Sequence, residues 1–261
     1  MRIIDAHAHY LDGPNYIKNL LKTMEKNGIE KCCLSGLGEE FFCRNNSDVK
    51  RAFKRNPDKI IGSYFIRPGV SEIDDIQDAY NDGFKMLKVT IPTKPYNHKS
   101  FYPLWEMAEK LNMPILFHTG IVTIPNQSKE ISYSSWDMHP MRLEPIANKF
   151  RKLNIIIAHL GVHWNNEAAE LIRMRPNVYS DITGEPDGWR VRADRIGLRK
   201  WLWWDDAFKK LIFGTDVHYS KIQDNLNQDK NWFVQFNIDK ATQKLYFANN
   251  ILNLLGMIEN E

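Results

Sequence analysis

The sequence of 261 residues has no apolar run approaching the ~18–20 residues that span a bilayer, so no membrane helix is expected. It is also poor in cysteine, with Cys32, Cys33 and Cys43 as the whole complement. Three cysteines cannot form a disulfide framework, and no Cys-x-x-Cys pair exists, so neither a stapled secreted domain nor a thiolate zinc site is expected. The N-terminal Met1-Arg2-Ile3-Ile4-Asp5 reaches a carboxylate early, without the ~7–15-residue apolar stretch of a secretory leader. A reducing cytoplasm is the expected location. An excess of one charge is missing too: 35 basic residues face 32 acidic ones, leaving +3. No run of five like charges occurs, which argues against a nucleic-acid partner. A Gly-x-Gly-x-x-Gly turn, an internal repeat, a low-complexity tract and a linker rich in Pro, Gly or Ser are all lacking. Apolar residues make up 43% and charged residues 26%, a balance that excludes long disorder and a collagen-like repeat.

What is present is a series of short apolar runs. They are Arg2–Ala6, Lys31–Ser35, Ile60–Ile66, Phe84–Ile91, Pro114–Phe117, Ile155–Ala158, Val178–Ile182 and Leu211–Gly214. Near-continuous apolar runs indicate parallel strands covered on both faces. Between them lie helical stripes, among them Tyr16, Ile17, Leu20, Leu21 and Met24, and Leu104, Met107, Ala108 and Leu111. Helix starts are expected at Ser47, Ser71 and Asn165. Eight strands alternating with helices over about 250 residues is the arithmetic of a (β/α)8 TIM barrel, with residues 1–261 forming one compact domain. A doubly wound open sheet is the alternative; it needs fewer strands and usually a Gly-rich phosphate turn. Two polar stretches, Ile121–Asp137 and Gly184–Asp194, are long for strand–helix connections and would sit at the active-site face of a barrel.

Ligand-type side chains fall at the ends of these strands. His7 and His9 end the first, and residues two apart on a strand share a face. His118 follows the fifth strand, His159 the sixth and Asp216 the eighth. Imidazole nitrogens and a carboxylate oxygen suit zinc or a similar divalent ion. Such an ion brings the pKa of water from ~15.7 toward ~7. Any one of these residues alone has a bland reading, Asp216 as a helix cap for instance. Their shared position at four strand ends is what points to a metal site.

At these residues the chain resembles the amidohydrolase superfamily of metal-dependent barrel hydrolases, most closely the branch called amidohydrolase 2. The resemblance rests on Ile4-Asp5-Ala6-His7-Ala8-His9, Gly83-Phe84-Lys85-Met86-Leu87-Lys88 and Leu116-Phe117-His118-Thr119-Gly120. It continues in Ile157-Ala158-His159-Leu160-Gly161, Phe213-Gly214-Thr215-Asp216 and a closing helix over 248–256. It implies metal ligands at His7, His9, His118 and Asp216, with Asp216 also the general base and His159 acting on substrate or water. Lys88 stands two residues before Thr90. In two-metal relatives a lysine at a comparable strand end is carboxylated and bridges both ions; the other reading is an ammonium that binds a substrate carboxylate or pairs with Asp216. One divalent ion, zinc, is the expectation.

The expected chemistry is hydrolysis of an amide, ester or lactone in a small carboxylate-bearing substrate. The water is activated by the ion and Asp216, and the carbonyl oxygen is polarised by the ion or His159. Non-oxidative decarboxylation on the same scaffold is the alternative, since the same five residues serve both; a metal-binding protein without activity is a third reading. Arg67 offers a guanidinium fork for an anion or else forms a surface salt bridge. Arg190 and Arg192 share that ambiguity. Trp136, Trp164 and Trp189 are candidates to line a flat pocket. His139, His163 and His218 are candidates to support the site, each more simply structural. His98 reads as surface. One of Cys32 and Cys33 is expected to be buried and inert. Trp201, Trp203 and Trp204 suit helix packing or a subunit contact, such as that of a homodimer.

Overall fold

The computed structural model describes residues 1–126 and 131–258. Eight strands form one parallel sheet in sequence order: β1 (Ile4–His9), β2 (Lys31–Ser35), β3 (Ile60–Ile66), β4 (Met86–Val89), β5 (Ile115–Phe117), β6 (Ile155–Ile157), β7 (Val178–Asp181) and β8 (Leu211–Ile212). Beyond β8 the chain returns to β1, where the amide of Ala6 donates to the Phe213 carbonyl at 2.9 Å and that of Asp216 to the His7 carbonyl at 2.7 Å. The result is a nearly closed (β/α)8 barrel in a single compact domain. Among the described residues no helix is long and apolar enough to cross a membrane.

Helices α1 (Tyr16–Asn27), α2 (Asn46–Arg55), α3 (Ile73–Asp82), α4 (Tyr102–Lys110), α5 (Glu144–Lys149) and α6 (Asn165–Met174) follow β1 to β6 in turn. After β7 comes α7 (Trp189–Ile196); after β8 come α8 (Ile222–Gln235), α9 (Lys240–Lys244) and α10 (Asn250–Leu254). The α1 stripe read from the sequence buries Tyr16, Leu20 and Met24. Helix α2 starts one residue before the expected Ser47, because Asn45 provides the cap and accepts from the Asp48 amide. Helix α3 starts two residues after Ser71, where Glu72 and Asp75 form a capping box. The stretch Gly184–Asp194 is not all loop, since α7 occupies its second half. Of Ile121–Asp137, residues 127–130 lie outside the described residues.

The sheet separates two apolar layers. Outward residues such as Leu34, Val89, Phe117 and Ile157 pack against the helices. Inward residues Ile4, Ala6, Cys33, Ile61, Met86, Leu116, Ile156 and Ile212 fill the barrel, and Ile251, Leu252 and Leu254 of α10 pack into the same cluster. Cys32 and Cys33 are therefore both buried, one on each side of the sheet, and burial raises both thiols above the ordinary range. One step further along the strands the inward positions turn polar: Ser35 after Cys33, Ser63 after Ile61, Lys88 after Met86, His118 after Leu116 and Asp181 after Tyr179. The barrel thus has an apolar floor and a polar mouth at the C-terminal ends of its strands, where side chains from separate strands converge.

Candidate active site

Strict alternation along β1 would put Ile4, Ala6 and Ala8 on one face and the two histidines on the other. The register breaks instead: Asp5 pairs with Cys32 and Ala8 with Leu34, so β1 carries one extra residue between them. The bulge lets inward Ile4 and Ala6 be followed by inward His7 and His9, with Ala8 turned to the outer layer. His159 and Asp216 are aimed by a different device. Both have left-handed backbones, φ 59° and φ 52°, which cost a non-glycine residue energy and turn the side chain out of strand alternation. Asp5 supports this end of the barrel; its carboxylate accepts from the His7 amide and from both the amide and hydroxyl of Thr215. Burial pushes its carboxyl up to about 7.

The five histidine and aspartate side chains expected at the site come together. His7 Nε2 lies 3.2 Å from His9 Nε2 and 3.7 Å from Asp216 Oδ1, and His9 Nε2 lies 3.0 Å from the same oxygen. The other carboxylate oxygen, Oδ2, lies 3.5 Å from His159 Nε2. Lys88 joins them, with Nζ 2.7 Å from His7 Nε2. His9, Lys88, His118, His159 and Asp216 line one cavity of about 240 Å³, walled on its apolar side by Leu37, Phe41, Ile121 and Val122. Burial pushes the His7 imidazole down to about 4, and the neighbouring Lys88 adds to this. Burial likewise pushes the Lys88 ammonium down to about 8. Burial raises the Asp216 carboxyl, yet His7 and His9 outweigh it and hold the group well below its usual value.

These residues fit a divalent ion. Two ligands held ~2.0–2.2 Å from one ion at a tetrahedral angle stand about 3.3–3.6 Å apart. The three spacings among His7, His9 and Asp216 bracket that range. His118 lines the same cavity, and its Nε2 is buried with no hydrogen-bond partner among the described residues. A buried imidazole nitrogen left bare calls for an explanation, and a ligand role provides one. Burial, with His159 and Lys88, holds this ring well below its ordinary pKa, which keeps the lone pair free.

Gly214, in the strand-eight turn, keeps the cluster closed. A Cβ there would stand 2.8 Å from His7 Cβ and 2.8 Å from Thr183 Cγ2. Gly214→Ala is expected to cost about 1–3 kcal/mol through overpacking. Thermal unfolding should show a fall of several degrees, with weaker metal uptake because His7 must move. An unchanged Tm with unchanged uptake would show that the neighbours yield freely.

The remaining candidates stand elsewhere. Arg67 donates through Nε to the Ile91 carbonyl at 2.9 Å and through Nη2 to the Ser132 carbonyl at 3.1 Å, so it ties two loops together. Trp164 is absent from the residues lining the cavity; its ring lies tilted against His139 at 4.5 Å and meets Trp136 at 5.7 Å. Arg190 is no anion-binding surface residue: its guanidinium is fully buried against Asp229. Arg192 meets His163 Nδ1 at 3.1 Å. Trp189 donates to the Thr183 carbonyl at 2.7 Å. His98 and His218 bond the serines two residues on. Trp201 is buried and Trp203 exposed, where it lies under Arg173 and donates to Glu170.

Sequence reasoning missed Asp181 and Thr183. Asp181 Oδ2 lies 2.8 Å from His7 Nδ1, and Oδ1 accepts from the His159 amide at 2.6 Å. Thr183 Oγ1 donates to Asp181 Oδ1 at 2.7 Å and lies 2.7 Å from His159 Nδ1. The available signal was a carboxylate at the end of the seventh strand, the same topological position as the histidines.

A parallel barrel whose mouth gathers two histidines and an aspartate at ion-sized spacings, with a third histidine in the same cavity, defines a metal-dependent enzyme of the amidohydrolase kind. The family profile described as amidohydrolase matches residues 39–257, and the chain belongs to that family, in its amidohydrolase 2 branch. His118, His159 and Asp216 lie inside the matched segment; His7 and His9 precede it and rest on the geometry above. No curated protein sequence matches the chain. Among solved structures, an uncharacterized TIM-barrel protein from Bordetella bronchiseptica superimposes with a TM-score of 0.75 at 16% identity, covering 98% of this chain and 99% of its own. A probable 2-pyrone-4,6-dicarboxylic acid hydrolase from Acinetobacter baumannii, with citric acid bound, gives 0.66 at 16% identity and covers 98% and 100%. A mutant 5-carboxyvanillate decarboxylase from Novosphingobium aromaticivorans, with bound manganese and 3-methoxy-4-hydroxy-5-nitrobenzoic acid, gives 0.62 at 14% identity and covers 98% and 97%. At these identities the likeness is one of fold.

Proposed function

We propose that the chain hydrolyses an amide, ester or lactone bond in a small carboxylate-bearing substrate. The observation that carries this reading is the division of labour within one carboxylate. Asp216 Oδ1 faces His9 and His7, while Oδ2 faces His159 across the cavity. One oxygen would hold an ion with His7, His9 and His118, and the other would take a proton. The bound ion, proposed to be a single zinc, supplies Lewis acidity to water and to the substrate oxygen. Asp216 Oδ2 takes the proton of the attacking water and delivers it to the leaving group. His159, whose Nε2 stands opposite Asp216 Oδ2, would polarise the carbonyl oxygen by donating a proton carried on Nε2. Lys88 brings the cavity's one ammonium among the described lining residues, which favours an anionic substrate. The citrate and nitrobenzoate of the two neighbours are carboxylic acids as well, which supports the same substrate class. With net charge only +3, steering must be local. Three free buried cysteines support a cytoplasmic location.

Loading the protein with metal and offering a panel of lactones, amides, esters and aromatic acids tests the activity. Ring opening or acid release from a carboxylate-bearing member is expected. Carbon dioxide release without hydrolysis would replace this reading with decarboxylation. A thermal-shift titration tests the ion. A ligand that binds only the native state adds about 2.7 kcal/mol at 100-fold over its Kd. For a chain of this size that is about 5–10 °C in Tm. Zinc or manganese should produce such a rise, with one ion counted per chain. Two ions per chain would instead favour a carboxylated Lys88, and no shift with either metal would remove the site.

A further inference from the structure

We infer that Asp181 and Thr183 act as a pair of positioning residues that fix the tautomers of both His7 and His159, turning each Nε2 lone pair of the neutral rings toward the cavity. The inference builds on the proposed metal site but concerns protons within the protein. It follows from counting donors. Asp181 receives four contacts: His7 Nδ1 at 2.8 Å, the His159 amide at 2.6 Å, the Thr183 amide at 3.1 Å and the Thr183 hydroxyl at 2.7 Å. Two amides and a hydroxyl on one buried carboxyl satisfy a carboxylate, which only accepts. His7 must then donate from Nδ1, which leaves Nε2 bare. Lys88 agrees from the other side, since its ammonium stands 2.7 Å from that Nε2 and only donates.

The Thr183 hydroxyl has a single proton, and Asp181 takes it. Toward His159 Nδ1, at 2.7 Å, the oxygen can therefore only accept. The neutral His159 ring carries its proton on Nδ1, and its Nε2 lone pair faces Asp216 Oδ2 at 3.5 Å. One buried carboxylate thus sets two imidazoles on different strands, the first directly and the second through a hydroxyl. Trp189 Nε1 donates to the Thr183 carbonyl at 2.7 Å, and Gly214 leaves only enough room for the Thr183 methyl, so the relay is held in place. The consequence for chemistry is directional. His159 accepts a proton at Nε2 when neutral and donates from Nε2 only as the imidazolium. Outer partners of this kind change metal affinity or activity by about 10–100-fold when removed.

Isosteric replacements separate the two arms. In Asp181→Asn the amide oxygen stays with the three Thr183 and His159 donors, so the NH2 group faces His7 Nδ1 and drives its proton to Nε2. In Thr183→Val the hydroxyl that accepts from His159 Nδ1 at 2.7 Å is gone, and only the more distant Thr183 carbonyl remains, at 3.4 Å and already engaged by Trp189; Thr183→Ser restores the hydroxyl. The measurement is the multiple-bond 1H–15N spectrum of histidine-labelled, metal-free protein in alkaline buffer, with folding checked by thermal unfolding. Wild type and Thr183→Ser should show Nδ1–H at both residues. Thr183→Val should lose that tautomer at His159, lower kcat about 10-fold and leave zinc affinity, read by chelator competition, unchanged. Asp181→Asn should move His7 to Nε2–H and weaken zinc binding about 10–100-fold. His159 remaining Nδ1–H in folded Thr183→Val overturns the inference, and so does His7 remaining Nδ1–H in folded Asp181→Asn. If Asp181→Asn does not fold, the Thr183 pair decides alone. Because the tautomers are read without metal or substrate, wild-type protein with the expected tautomers and no zinc uptake upholds the relay and overturns only the metal-site reading.

Discussion

Asp216→Asn is expected to lower kcat by about 10²–10⁴, the range for losing a general acid–base group, with little change in KM and in Tm. The substitution is a clean one because of the backbone. Asp216 sits at φ 52°, in the left-handed region, which Asn enters as readily as Asp and most other side chains enter less readily. The side chain keeps its shape and an oxygen that can still face His9, so part of the metal affinity should survive. The negative charge and the proton-accepting oxygen opposite His159 do not survive. Asp216→Ala would confound this result, since it adds backbone strain to the lost carboxylate. Steady-state kinetics on whichever substrate the panel yields, beside a metal count on the same preparation, give the answer. Turnover at the wild-type rate would remove Asp216 from the proton path.

The barrel was legible because its strands are buried on both faces and read as near-continuous apolar runs, which survive small errors at their ends. Strand β1 starts at Ile4 where the apolar run starts at Arg2, and β8 keeps only Leu211 and Ile212, yet the order and the count are unaffected. The gathering of His7, His9, His118, His159 and Asp216 at the barrel mouth was legible for a similar reason: histidine and aspartate are conspicuous against apolar strand ends. What stayed hidden depends on contacts far apart in sequence or on local backbone departures. Same-face logic paired His7 with His9 correctly, but nothing in the alternation announces the bulge that turns both into the mouth. The Asp181–His7 bond joins positions 174 residues apart, and Asp181 reads as the ordinary polar end of a short strand. Arg67 and Arg190 look alike as arginines after strands. One is engaged by two carbonyls and the other is fully buried, a difference set by packing alone.

Arg190→Met is expected to cost about 3–5 kcal/mol, because it leaves a buried carboxylate without its cation. In the native chain Arg190 pairs with Asp229 at the core of a junction between the strand-seven turn, α8 and the segment before α10. Its Nη1 donates to the Ile182 carbonyl at 2.5 Å and its Nε to Gln228 Oε1 at 2.6 Å, while the guanidinium lies 4.5 Å from the Trp232 ring. Asp229 also accepts from the Tyr246 hydroxyl at 2.7 Å. At about 2–4 °C per kcal/mol for a chain of this length, Tm should fall by roughly 10 °C. Adding Asp229→Asn should restore part of that loss, since the neutral amide has less to lose by burial and still accepts from Tyr246. The pH dependence has a definite sign. Burial already raises the Asp229 carboxyl above its ordinary value against the pull of Arg190, and without Arg190 it rises further. A carboxyl raised in the folded state contributes stability below its unfolded pKa and loses it as pH climbs through the folded one. Arg190→Met should therefore be closer to wild type in mildly acidic buffer than at neutral pH, and the double variant should show a smaller difference between the two. Equal losses for the single and double variants would mean that the packing of the arginine stem around Trp232, rather than the charge pair, holds this junction together.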